Sequence, residues 1–145
     1  MVLDNVIQLS RTALLSVRID GAFRVLGVED NMHLHQLHRV ICKAFSLDPT
    51  VPWSFSHNGK RLDAGQVVRA LPKESQNGGD AGSGDAGANT VVNFHWGLWV
   101  MDLKILDRLE RDAHTPRARC VAGDGRFLSN FDLASINEQL ATELS

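Results

Sequence analysis

Residues 13–28 read Ala13-Leu14-Leu15-Ser16-Val17-Arg18-Ile19-Asp20-Gly21-Ala22-Phe23-Arg24-Val25-Leu26-Gly27-Val28, and this stretch decides how the fold begins. Leu15, Val17 and Ile19 alternate with Ser16, Arg18 and Asp20, the two-residue period of a strand with one face buried. Asp20-Gly21 is a strong tight-turn signal, and Phe23, Val25, Leu26 and Val28 supply the returning strand. The chain therefore opens with a β-hairpin.

Downstream the period changes. Leu34, Leu37, Val40, Ile41, Ala44 and Phe45 line one stripe of a helix, with Asp30 or Asn31 as the expected N-cap. Pro49 lacks a donor and disfavours helical geometry before it, so the helix must end earlier. Trp53, Phe55 and His57 alternate with Ser54 and Ser56 ahead of Asn58-Gly59, which predicts a third strand, a turn and a short continuation through Arg61 and Leu62. Residues 64–71 fit a helical turn or a strand equally well.

From Lys73 through Thr90 no apolar side chain exceeds alanine, and Gly78, Gly79, Gly82, Gly84 and Gly87 interleave with Asp80, Ser83 and Asp85. Such a stretch cannot offset its own ordering entropy, so residues 73–90 read as a flexible Gly/Asp-rich insertion with a reach of about 20–25 Å. It lacks the Gly-x-x-x-x-Gly-Lys-Ser/Thr pattern of a phosphate cradle.

Beyond it, residues 91–96 and the alternating Trp99, Met101, Leu103 and Ile105 predict a strand pair bending at Gly97. Residues 108–119 are charged, contain Pro116, and read as a connection; Gly123-Asp124-Gly125 reads as a tight loop. Ser129 followed by Asp132 resembles a capping box ahead of a C-terminal amphipathic helix carrying Leu133, Ile136, Leu140 and Leu144.

The 145 residues are enough for one core, and 43% apolar with 22% charged side chains is an ordinary globular composition. Fifteen basic against 17 acidic residues give a formal charge of −2, so no global basic field advertises nucleic acid. No run of ~18 apolar residues exists, and residues 1–10 do not form a signal peptide, so a cytoplasmic, membrane-free protein is expected. Cys42 and Cys120 lie far apart in no Cys-x-x-Cys pair, which argues for two reduced, partly buried thiols.

Taken in order, Phe23-Arg24, the helix around Leu37-His38-Arg39-Val40-Ile41, the Phe94-to-Trp99 element and Arg119-Cys120-Val121-Ala122-Gly123-Asp124-Gly125 resemble the Ri-plasmid ORF-three family (pRiA4b type). Members of that bacterial family also occur as passengers of a mycobacterial insertion element. The likeness runs from about Thr12 to Leu140, interrupted by the glycine-rich insertion. It implies a single α+β domain over residues 1–145, with a β-grasp-like mixed sheet, one crossing helix and the C-terminal amphipathic helix. It implies no known reaction.

The chain departs from the family where the family is most polar. A His-Leu-His-x-Phe motif appears here as Val51-Pro52-Trp53-Ser54-Phe55, and an aromatic-Asp-Phe-Gly-Asp-Asp-Trp motif as Phe94-His95-Trp96-Gly97-Leu98-Trp99. Phe127-Leu128-Ser129-Asn130 replaces a Pro-Pro-Glu-Asp segment. If those polar residues form a metal or catalytic site in the family, the resemblance implies that this member has lost it.

Several chemistries can be weighed directly. His35 and His38 share a helix face with His33 displaced, but two histidines need a third ligand, so they are weak metal candidates beside the plainer reading of a solvated helix face. Asp102, Asp107, Glu110 and Asp112 interleave with Lys104, Arg108 and Arg111 as on an ordinary charged surface. Neither Gly-x-Ser-x-Gly nor Ser-x-x-Lys occurs, so a serine nucleophile has no support. Arg108, Arg111, Arg117, Arg119 and Arg126 concentrate in one third of the chain and offer a local nucleic-acid patch, opposed by the acids among them.

Trp53, Trp96 and Trp99 are many large aromatics for a chain without tyrosine. They are either sheet-core residues or binding hot spots. The expected function is a non-enzymatic protein-interaction or adaptor module with no cofactor and an unidentified protein partner. Trp53, Trp96, Trp99, Arg108 and Arg111 are its binding candidates. The alternatives are a nucleic-acid-binding protein linked to mobile elements and a metal-dependent enzyme built from His35, His38, His57 and His95.

Overall fold

The computed structural model describes residues 11–73, 90–127 and 132–144, the last three of these without their side chains. The opening hairpin forms as its pattern dictates: β1 (Thr12–Ile19) pairs antiparallel with β2 (Ala22–Glu29), closed at Ile19↔Ala22 around Asp20, whose φ is 55°. Helix α1 (Leu34–Phe45) follows, then β3 (Trp53–His57), a turn at Asn58-Gly59, and β4 (Lys60–Arg61). Residues 64–71 resolve into a short 3-10 turn at Val68–Ala70. Strands β5 (Val92–Trp96), β6 (Trp99–Leu109) and β7 (Ala118–Asp124) and helix α2 (Leu133–Leu144) complete the order.

The seven strands form one sheet in the order β4-β3-β5-β6-β1-β2-β7. Every strand pair is antiparallel, where a mixed sheet was expected; the parallel contact among the described residues is the isolated bridge Lys73↔Ile105. Short reversals join three of the six neighbouring pairs, β1–β2, β3–β4 and β5–β6, and such hairpins are antiparallel without a crossover.

Alternation along each strand assigns one face to the core. Leu15 and Val17 of β1, Leu26 of β2, Phe55 of β3, Phe94 of β5 and Leu103 of β6 are buried in one cluster with Leu37, Val40 and Ile41 of α1 and Ile136 and Leu140 of α2. Cys42 and Cys120 are both free and buried. Burial pushes the Cys120 thiol up, against a backbone hydrogen bond and the nearby Arg24 cation.

Two local expectations shift. The N-cap of α1 is His33, and Gln36 Oε1 accepts its backbone N–H at 3.1 Å. Asp30 does not cap the helix because its carboxylate accepts the Arg11 N–H at 3.0 Å instead. Gly123 and Asp124, expected in a tight loop, belong to β7 opposite Arg24 and Phe23; the turn residue is Gly125, at φ 85°. Residues 74–89 and Ser129, to which the flexible insertion and the capping box were assigned, lie outside the described residues.

Arg24 is the largest fully buried side chain. Its Nε donates to Ala44 O at 3.1 Å and its Nη1 to Asp124 O at 3.0 Å, so one guanidinium ties the last turn of α1 to the end of β7. The cation also lies 4.6 Å from the Phe45 ring centroid.

Candidate functional site

Antiparallel register brings the three tryptophans side by side: Trp53 pairs with Trp96, and Trp96 with Trp99, across β3, β5 and β6. All three side chains point to the face that carries the core, yet their burial is graded. Trp53 is half-buried, Trp96 is 9% exposed and Trp99 is 45% exposed. The Trp96 indole N–H donates to Asp48 O at 2.9 Å, satisfying its polar atom and fixing the loop after α1 against the sheet. Gly97 N–H donates to Pro52 O at 2.9 Å, which ties the same loop to the β5–β6 turn.

At the exposed end of the row the chain turns with an apolar tip. Leu98 is fully exposed, Val100 is 48% exposed, and Trp99 between them packs edge-on to Phe127 with ring centroids 5.0 Å apart. Consecutive apolar residues at a hairpin turn contradict the usual polar chemistry of turns. Gly97 at φ 60° makes the tight reversal possible, and a Cβ there would lie 3.2 Å from Val51.

At the other end, Trp53 stacks on His38, centroids 4.1 Å apart and planes within 10°. His38 is buried rather than solvated, and its Nε2 has no hydrogen-bond partner among the described residues. Burial, with a smaller contribution from the Arg39 cation, lowers its pKa from 6.5 to about 4, so the ring is neutral near pH 7. His35 points elsewhere and stacks on His33 at 5.5 Å. The helix face supposed to hold His35 and His38 together is thus split between solvent and core.

His95 sits on the opposite side of the sheet from His38, since its neighbours Phe94 and Trp96 face the core; its Nε2 meets Ser56 Oγ at 2.8 Å. The four histidines of the enzyme alternative do not converge. Among the described residues no three His, Cys, Asp or Glu side chains could hold a metal ion together.

The arginine candidates are engaged within the fold. Arg108 Nη2 donates to Leu71 O at 2.9 Å and Arg69 O at 3.2 Å, bracing the 3-10 turn against β6. Arg111 donates to Thr12 Oγ1 at 3.0 Å and Thr115 O at 2.8 Å, holding the turn before β7. Arg117 pairs with Glu29 at 3.1 Å. Sequence spacing gives no sign of the Arg108 partners, which lie 37 and 39 residues away, whereas the Thr115 carbonyl that Arg111 holds is four residues on in the same turn.

Two features escaped sequence reasoning. A cleft of about 740 Å³ lies beside Trp53, lined by residues 49–55 and 61–64. Asn137 of α2 meets β7: its Oδ1 accepts the Cys120 N–H at 2.7 Å and its Nδ2 donates to Cys120 O at 3.1 Å. The apolar residue after Gly97 was a legible hint of the exposed tip; nothing local marked the cleft or Asn137.

No family model and no curated protein matches the sequence. Among solved structures, the chain is similar to a protein of unknown function, MM3350, from Methanosarcina mazei Go1, at 13% identity and a TM-score of 0.62, over 92% of this chain and 81% of that one. At that identity the likeness is one of fold, and the fold is α+β: among the described residues, a seven-stranded antiparallel sheet with two helices.

Proposed function

We propose that this chain is a non-enzymatic protein-interaction module, a divergent relative of the Ri-plasmid ORF-three family acting in the bacterial cytoplasm. In this reading the opening hairpin, crossing helix and third strand follow a β-grasp-like plan, extended by β5–β7. The observation that carries the function is the exposed apolar tip Leu98-Trp99-Val100, continuous through Trp99 with the tryptophan row. A fully exposed leucine beside a half-exposed tryptophan is apolar surface that a partner would remove from water, and tryptophan anchored on one side is a typical hot-spot residue.

The arginine cluster lends little to the nucleic-acid alternative, because Arg108 and Arg111 spend donors on backbone carbonyls. No helix among the described residues is long and apolar enough to cross a membrane. The test is affinity capture of the tagged chain from its host, with nuclease, beside the variant Leu98→Asp. A stoichiometric protein retained by the parent and lost by the variant supports the module. Recovery that vanishes with nuclease, or is identical for both chains, refutes it. Leu98→Asp should change stability by less than about 0.5 kcal/mol, since the side chain packs against nothing, so a loss of capture would report binding rather than unfolding.

A further inference from the structure

We propose that the cleft beside Trp53 binds a free α-amino acid with an apolar side chain, held at its two charges by Arg61 and Asp63. The site is separate from the hairpin tip and goes beyond the interaction-module reading without resting on it. Two segments wall the cleft: Pro49, Val51 and Pro52 from one, Leu62 and Ala64 from the other. Its volume of about 740 Å³ falls within the range of small-ligand clefts, roughly 300–1,000 Å³.

Arg61 and Asp63 both line this cleft, yet they are not joined to each other. Among the described residues the exposed Arg61 guanidinium makes no hydrogen bond or ion pair. Asp63 engages one carboxylate oxygen, Oδ1, which accepts the Gly65 N–H at 2.8 Å. Leu62 between them donates its N–H to Phe55 O at 2.8 Å, continuing the ladder of β4, so the chain is extended there and spaces the two Cα atoms by about 6–7 Å. A cation and an anion held apart across one cavity match a molecule that carries both charges on neighbouring atoms.

The strand edge supplies a second matched pair. Pro52 O points to the β5 side, where it accepts the Gly97 N–H, while Phe55 O points outward to Leu62. Trp53 shares the parity of Phe55, so its N–H and C=O face outward, toward the cleft that Trp53 itself lines. The ligand carboxylate therefore takes Arg61 and the Trp53 N–H, and its ammonium takes Asp63 and the Trp53 C=O. His38, which does not line the cleft, stacks on the Trp53 indole at 4.1 Å and holds it in place before any ligand arrives. That indole and the two prolines offer an apolar wall, which selects an apolar side chain.

Calorimetric titration of the full chain with L-phenylalanine tests the site, beside glycine, phenethylamine, which lacks the carboxylate, and 3-phenylpropionate, which lacks the amine. L-Phenylalanine should saturate one site, and each of the other three should bind at least about tenfold more weakly. Arg61→Gln should erase the preference over phenethylamine, and Asp63→Asn the preference over 3-phenylpropionate. Asparagine keeps an oxygen for the Gly65 N–H, so the second variant removes the charge and leaves the loop. The backbone amide resonance of Trp53 should shift on titration of the parent. No saturable binding below about 10 mM, equal binding of the four probes, affinities unchanged in both variants, or shifts confined to residues outside the cleft each overturn the proposal. Neither variant alters Leu98, so the two readings fail separately: absent titration with capture intact refutes the cleft alone, and the reverse pattern refutes the tip.

Discussion

The two edges of the sheet are finished in opposite ways. At β7 the side chain of Asn137 occupies both outward backbone groups of Cys120, mimicking the next strand from a helix, and α2 packs over the same region. At β3 the covering strand stops after two residues, and the backbone of Trp53 faces a cleft. An unpaired edge is a template for foreign strands, and proteins block it unless pairing is wanted. The difference teaches that openness at β3 is not a general looseness of this sheet, because the same chain closes its other edge with an atom-for-atom substitute.

The comparison can be broken hardest at the closed end. Gly125, directly after β7, has φ 85°, and a Cβ there would run into Gly21 O and lie 2.7 Å from Ala22 Cα. Gly125→Val should cost about 4 kcal/mol through strain and displaced backbone, read from denaturant unfolding; a cost under about 1 kcal/mol would mean that this junction yields freely. Asn137→Leu keeps the branched shape of the side chain but strips both bonds from Cys120. It should cost about 3 kcal/mol and introduce concentration-dependent self-association in sedimentation, whereas a monomeric variant would show that the edge is protected by α2 alone.

The open end has its own probe in pH. Burial depresses the folded-state pKa of His38 from 6.5 to about 4, so between those values the unfolded chain binds the extra proton. The stability tied to this ring is complete above about pH 6.5 and is lost as pH falls toward 4, by roughly 2–3 kcal/mol. His38→Phe keeps an aromatic ring against Trp53 and should remove that slope from the urea midpoint measured across pH 4–7. An unchanged slope would assign the acid sensitivity to other groups.

How much of this was legible along the chain depended on the range of the interaction. The hairpin at Asp20-Gly21, the stripe from Leu34 to Phe45 and the alternation from Trp99 to Ile105 were readable because neighbours in sequence share a face at a fixed period. The three tryptophans were singled out by composition, but their graded burial came from register, which places Trp53 on His38 and leaves Trp99 at the rim. His38 was expected on a solvated face because helical spacing gives an angle, not the identity of what lies opposite. Arg108 and Arg111 suggested a patch because a charge in a sequence does not reveal whether its donors are already taken.

By itself, then, the sequence determined the elements from the opening hairpin to the turn at Asn58-Gly59, the strand pair bending at Gly97, the C-terminal helix, most apolar residues of the core face and the absence of a serine-nucleophile or thiolate-zinc motif, all consequences of local periodicity and residue type; β7, read as a connection and a loop, was not among them. Tertiary structure alone decided the antiparallel strand order, the closing of β7 by Asn137 and the opening beside Trp53. Those rest on pairings between residues as far apart as Leu26 and Cys120, or Trp53 and Trp96, whose partners no local period can name.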